Sequence, residues 1–173
     1  MAGGRSRRLG YDKLTAELIG IPTIMYTYRA LLRSRAQPVC AAVSNNSKSA
    51  KNLLEALGAS TVQTPGKSYV DDIVFLSEMI KRPFLTLSAD AIFVRTQHIN
   101  RIISAFDGKS VAGVVKIKDQ ISYVGLNIVV PGNSKDEIYY FDDEFLGISL
   151  NTTGDVDQIR RIIWSGGYTL LLQ

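Results

Sequence analysis

Phe84-Leu85-Thr86-Leu87-Ser88-Ala89-Asp90 is a short apolar run that ends in an acid, and it lies between two segments of helical periodicity. Upstream, Tyr69 to Ile80 reads as a helix. Downstream, Gln97 to Phe106 does the same, with Ile99, Ile102, Ile103 and Phe106 as its buried stripe. Working outward, the exchange continues. A helix around Ile24, Met25, Tyr28, Leu31 and Leu32 precedes a strand at Val39 to Val43; a helix carrying Ala50, Leu53, Leu54 and Leu57 precedes a strand at Ser60 to Gln63. Alternating strands and helices imply right-handed crossovers and a mainly parallel, doubly wound α/β sheet. The second half reads differently, with β-rich segments at Val111 to Ile117, Ser122 to Val130 and Ile138 to Leu150, so a mixed or antiparallel C-terminal edge is expected. A last helix runs from Asp155 to Trp164, with Thr152 as its cap. No repeat or long linker divides the chain, which reads as a single domain over residues 1–173.

Composition narrows the chemistry. The formal net charge is +4, and four of the 20 basic residues, Arg5, Arg7, Arg8 and Lys13, cluster early among glycines. That compact cluster suits a small polyphosphate rather than nucleic acid, whose binders spread basic and aromatic residues along a face. The single Cys40 excludes an intrachain disulfide and reads as filler of a core strand in a reducing compartment. No stretch approaches the roughly 20 apolar residues that span a bilayer, and the chain is expected to be cytoplasmic. The single His98 excludes the usual Cys/His zinc sites by count and reads as a solvated helix residue.

In an open sheet of this kind ligands bind beyond the carboxyl ends of the strands, so the loops hold the chemistry. Asp90, at the end of its strand, is placed to hold Mg²⁺, which takes few protein ligands, although an isolated Ser-Ala-Asp also suits a turn or helix cap. Asn151, read from the residues around it, belongs to the start of the last helix. Met1 to Lys13 contains Gly3 and Gly4, then Arg5, Ser6, Arg8 and Gly10. Backbone amides at such glycines can approach phosphate oxygens while the basic side chains neutralise charge; composition alone would also suit a disordered basic N-terminus. Thr64-Pro65-Gly66-Lys67-Ser68 ends like a Walker A loop, but Thr61 stands where that motif needs its first glycine. Ser68 is better read as the cap of the next helix, with Asp71 three residues on.

The spacing Gly3-Gly4-x-Ser6-x-Arg8-x-Gly10-x-x-Lys13, followed by Gly20-Ile21-Pro22, resembles the signature of the nucleotidyltransferases that include molybdenum-cofactor guanylyltransferase. Gly66-Lys67-Ser68-Tyr69-Val70-Asp71-Asp72-Ile73 is similar to a segment of archaeal-type GTP:adenosylcobinamide-phosphate guanylyltransferases, with Ser68 in place of a glycine. Gly125-Leu126-Asn127 and Asn151-Thr152-Thr153-Gly154-Asp155 continue the likeness in order, so that it runs from Gly3 to about Ile163.

The resemblance implies a nucleotide-diphospho-sugar transferase-like fold and Mg²⁺-dependent transfer of GMP from GTP to adenosylcobinamide-phosphate. It implies nucleotide contacts at Ala2, Gly3, Gly4, Arg5, Ser6, Arg8, Lys13, Gly66 and Lys67, with Arg8 on the β/γ-phosphates, Lys13 on the α-phosphate, and Asp90 and Asn151 on the metal. Molybdopterin or a sugar phosphate remains open as acceptor, as does a noncatalytic nucleotide sensor. Tyr123, Asn127, Tyr139 and Tyr140 are candidates to line the acceptor pocket, and a homodimer stays open. In the family the glycine loop follows a central strand; here that strand is expected upstream of Met1.

Overall fold

The computed structural model describes residues 1–2, 13–133, 135–150 and 152–165. The first half alternates as expected. A small hairpin of β1 (Glu17–Leu18) and β2 (Ile21–Pro22) leads into α1 (Thr23–Leu32), β3 (Cys40–Val43), α2 (Lys48–Ala56), β4 (Ser60–Gln63), α3 (Tyr69–Ile80), β5 (Phe84–Leu87) and α4 (Thr96–Ser104). The second half comprises β6 (Ser110–Ile117), β7 (Gln120–Val129), β8 (Asp136–Phe141), a 3₁₀ turn at Glu144–Gly147 and α5 (Thr153–Trp164). The segment expected to be β-rich from Ile138 to Leu150 is therefore strand only as far as Phe141. The β1–β2 hairpin has no detectable alternation, being two residues a side; Ile19 and Gly20 turn it with φ of 54° and 71°, the left-handed pair of a type I′ turn.

β3 and β4 pair in parallel, Cys40 opposite Ser60 through Val43 opposite Gln63. The other sheet has the order β5-β7-β6-β8, with β7 antiparallel to both neighbours and β8 parallel to β6. Met1 and Ala2 lie between the two sheets. The Ala2 amide donates to Ala42 O at 2.8 Å, while Met1 N donates to Leu87 O at 2.7 Å and Met1 O accepts from Ala89 N at 3.0 Å. Met1 thus engages residues on either side of Ser88, the slanted pattern of a parallel ladder. Among the described residues no strand lies between β3 and β5.

Two apolar clusters hold the halves. Leu14, Ile24, Val43, Ala50, Leu54 and Ala89 form one around β3. The other packs Ile99 and Ile102 of α4 against Leu87, Val111, Leu126 and Phe141 of the four-stranded sheet. The start of α5 is capped reciprocally: Thr152 Oγ1 accepts from the Asp155 amide at 3.2 Å, and Asp155 accepts from the Thr152 amide at 2.7 Å.

Two expectations are corrected. Cys40 is exposed rather than in the core, because the apolar cover of β3 reaches only Ala41 to Val43. His98 is buried, with 2% of its surface exposed, rather than solvated. It lies one helical turn before Ile102 and so widens the buried stripe of α4. Its Nδ1 accepts from the Arg95 amide at 3.1 Å, and its ring meets Phe141 edge-on at 5.7 Å. Burial lowers its pKa to about 4, outweighing the opposing pull of Asp143, whose carboxylate lies 3.7 Å from Nε2.

Candidate active site

The loop that leaves β5 is fixed from every side. Ser88 N donates to Gly125 O at 2.8 Å, Ala89 N to Met1 O, and Ala91 N to Ser88 O at 3.1 Å. Asp90 therefore has little backbone freedom, and its carboxylate is met by two donors. Ser88 Oγ donates to Oδ1 at 2.6 Å and Lys13 Nζ to Oδ2 at 2.5 Å. Both side chains are largely shielded, at 13% and 15% exposure. Lys13 is held by its successor: Leu14 is buried, and its carbonyl accepts from the Ile24 amide at 2.9 Å at the start of α1.

Sequence reasoning did not single out Ser88 as a partner of Asp90. Nor could it give the reason for Gly125, which has φ of +77°; a Cβ there would come within 2.8 Å of Ser88 Cβ. The glycine lets β7 pass directly against the loop. One row along, Thr86 of β5 lies opposite Asn127 of β7, and both reach the phenol of Tyr69 at the start of α3: Asn127 Nδ2 donates to Tyr69 Oη at 2.8 Å, and Tyr69 Oη lies 3.0 Å from Thr86 Oγ1.

The loops after β3 and β4 interlock beside this centre. Gly66, φ +65°, is buried; its amide donates to Asp72 Oδ1 at 2.8 Å and its carbonyl accepts from Asn46 Nδ2 at 3.1 Å. A Cβ on Gly66 would lie 2.4 Å from Ser44 Cβ. Gly66 thus shapes the loop, while Lys67 beside it is exposed. Ser68 caps α3 as expected, accepting from the Asp71 amide at 3.1 Å. Of the expected contacts, Ala2 is buried beside Val43 and Ala89, and Lys13 meets Asp90. Gly3, Gly4, Arg5, Ser6, Arg8 and Asn151 lie outside the described residues. Tyr139 is set apart from the other acceptor candidates: it faces α4, its ring 4.8 Å from Phe141, and lines an open cavity of about 540 Å³ with Gln97, Asn100 and Arg101.

The described residues include no cluster of three or more His, Cys, Asp or Glu that would cage a metal by itself. A single carboxylate with lone pairs beyond those used by Ser88 and Lys13 fits a hard cation that brings phosphate oxygens and water with it.

Residues 1–138, which include Lys13, Gly66, Ser88, Asp90, Gly125 and Asn127, match the family model described as the MobA-like NTP transferase domain. The chain belongs to that family. Membership in the MobA-like NTP transferases makes it a nucleotidyltransferase. The adenosylcobinamide-phosphate guanylyltransferase of Methanocaldococcus jannaschii is 26% identical over 192 residues, covering 96% of this chain and 97% of that one. Among solved structures, a CMP:2-keto-3-deoxy-manno-octonic acid synthetase complexed with CTP superposes with a TM-score of 0.73 at 12% identity, covering 94% of this chain and 96% of its own. The Mycobacterium tuberculosis H37Rv protein Rv0371c gives 0.72 at 12% identity, covering 92% and 94%. These likenesses agree with the nucleotide-diphospho-sugar transferase-like fold expected of a MobA-like member. No helix among the described residues is long and apolar enough to cross a membrane.

Proposed function

We propose that this chain transfers GMP from GTP to adenosylcobinamide-phosphate, releasing pyrophosphate. The observation that carries the reading is the Lys13–Asp90 pair at the carboxyl end of β5, in a chain whose full-length relative is named for that reaction. An acceptor phosphate oxygen attacks the α-phosphorus of GTP, the bond from that phosphorus to the bridging oxygen breaks, and pyrophosphate leaves with the electron pair. A phosphate monoester is already anionic near neutrality, so the site needs no general base; the only histidine is buried on α4. Charge neutralisation and alignment are the protein's tasks.

Lys13 supplies positive charge to the α-phosphoryl oxygens. Arg8 and the amides near Gly3 and Gly4 hold the leaving pyrophosphate; Ala2 and Lys13, the described residues on either side of that segment, both lie beside the Ser88–Asp90 loop, which supports such a cradle. Asp90, with Asn151 as the second candidate, would hold Mg²⁺, which when bound supplies Lewis-acid charge to the phosphates. The Pro65 to Ser68 loop is the candidate to read the base, and its path is fixed by Asp72 and Asn46. A GTP-dependent reaction supports a cytoplasmic location, where that nucleotide is available.

The test is direct. Protein, Mg²⁺, α-labelled GTP and adenosylcobinamide-phosphate are mixed, and label is sought in the corrinoid. Pyrophosphate release without label transfer to it would sink the acceptor assignment, and no pyrophosphate at all would leave a nucleotide sensor.

A further inference from the structure

We propose that the tip of the β6–β7 hairpin and the adjoining end of β8 form the acceptor platform, an apolar wall on which the flat ring of a corrinoid lies while its phosphate reaches the Asp90 loop. The proposal rests on the acceptor reading above. β5 pairs with β7 only from Phe84 opposite Val129 to Leu87 opposite Leu126. Residues 120–125 of β7 therefore run on past the carboxyl end of β5, on the order of 20 Å at about 3.3 Å per residue. β6 accompanies them, and β8 follows β6 in parallel. Tyr123, Val114 and Tyr140 consequently stand in one row across three strands.

The other face of this sheet is covered by α4. On this one, Tyr123 is 69% exposed, Tyr140 54%, Ile121 50% and Ile138 46%, whereas Val114 between the two tyrosines is fully buried. Four large apolar side chains left open on one face of a mixed sheet mark an interaction surface. Its position identifies the occupant. Gly125, between Asn127 and Tyr123 on β7, abuts Ser88, and Ser88 hydrogen-bonds Asp90. The wall thus rises from the reaction centre itself.

A second protein copy seated there would close the acceptor's approach to Asp90, and a sugar or nucleoside acceptor would call for many hydrogen-bonding side chains, where this wall offers two phenols and two isoleucines with the exposed Lys116 beside Ile121 at its far end. A corrin ring matches it: broad and nearly flat, with the face opposite the adenosyl ligand free to lie on the wall and peripheral amides for the tyrosine hydroxyls.

The decisive comparison is the KM for adenosylcobinamide-phosphate in label transfer from GTP, between the wild type and a Tyr123→Ala/Tyr140→Ala double variant. GTP affinity and sedimentation are measured alongside, and the single Tyr123→Ser provides a milder change. The double variant is expected to raise KM tenfold or more and Tyr123→Ser severalfold, with GTP affinity within twofold of wild type; Tyr123→Phe/Tyr140→Phe should restore most of the loss. An unchanged KM in an active enzyme overturns the platform alone. A GTP affinity that falls in step with KM, or a dimer that the variants dissociate, overturns it too, the latter by making the wall a subunit interface. A wild type inert toward the corrinoid but active on a smaller phosphorylated acceptor defeats the acceptor reading and the corrinoid occupant together.

Discussion

Lys13 Nζ lies 2.5 Å from Asp90 Oδ2, across 77 positions of sequence. One side chain comes from the turn before β1 and the other from the loop after β5, and Ser88 holds the second carboxylate oxygen. The pair brings an ammonium and a carboxylate to one point at the sheet's carboxyl edge, a juxtaposition that suits the proposed nucleotidyl transfer.

Asp90→Asn keeps an oxygen and a polar group of the same shape. The melting temperature is expected to stay within a few degrees of wild type while turnover falls about a hundredfold, in line with the loss of an electrostatic contact made at the reacting centre. Steady-state pyrophosphate release and a thermal melt check both, and full activity in the variant would remove Asp90 from the mechanism.

Base choice is the next expectation. Ligands that bind only the folded state raise its melting temperature by mass action. With Mg²⁺ present, GTP should raise it more than ATP, CTP or UTP at equal concentration. In the proposed reading the glycine and arginine segment meets phosphates alone, so discrimination would fall to the Pro65 to Ser68 loop, and a site that hydrogen-bonds a base edge rejects a base lacking the matching groups strongly. Equal shifts from all four nucleotides would contradict a guanylyltransferase.

Gly66→Ala tests how that loop is built. The left-handed backbone costs an alanine roughly 1–2 kcal/mol, and the new methyl would meet Ser44 Cβ at 2.4 Å, so Ser44 or the loop must move. At about 2–4 °C per kcal/mol for a chain of this size, the melting temperature should drop by several degrees, and GTP should bind more weakly. A variant with wild-type stability and affinity would show that the loop path does not depend on Gly66.

His98 gives a pH dependence whose sign is fixed. Its folded pKa, about 4, lies below the ordinary value of 6.5, so the neutral form is favoured by folding. Its stabilising contribution is complete above about pH 6.5, declines as the pH falls toward 4, and is lost below that. Melting curves over that range should steepen accordingly, and His98→Gln should flatten this part of the profile. A profile identical in wild type and variant would show that His98 does not titrate on unfolding.

Met1 and Ala2 suggest a fifth measurement. Their bonds to Leu87, Ala89 and Ala42 are those of an inserted strand. We propose that a run of about five apolar residues joined ahead of Met1 pairs between β3 and β5, satisfying edge groups there. It should raise the melting temperature by several degrees, and an unchanged value would defeat the idea.

Much of the first half was legible because its signals are local. The apolar spacing of Tyr69 to Ile80, the cap at Ser68 and the run from Phe84 to Asp90 each depend on near neighbours in sequence. Strand order is different, since nothing in the composition of Gln120 to Val129 says that it inserts between β5 and β6. The contacts of Ser88 with Gly125, and of Tyr69 with Thr86 and Asn127, depend on that insertion and were therefore hidden. The burial of His98 was hidden because Phe141 and Asp143, which meet its ring, come from the end of β8 and the turn after it, far along the sequence. Tyr139 and Tyr140 show the limit most simply: adjacent in sequence, they face opposite sides of β8.

Ala89 packs in the cluster around β3, and Ala91 in the one beneath α4. Asp90 therefore stands on a seam, gripped by a different core on each flank. Substitutions that retune one core need not disturb the other's packing, so the two halves, nucleotide and acceptor in the proposed reading, can diverge at separate rates during descent. What neither half can change alone is the height and tilt of the carboxylate between them. Lineages that adopt new acceptors would then be expected to alter the wall while the seam keeps its small residues, since a larger side chain at either alanine would lever the shared acid toward one side.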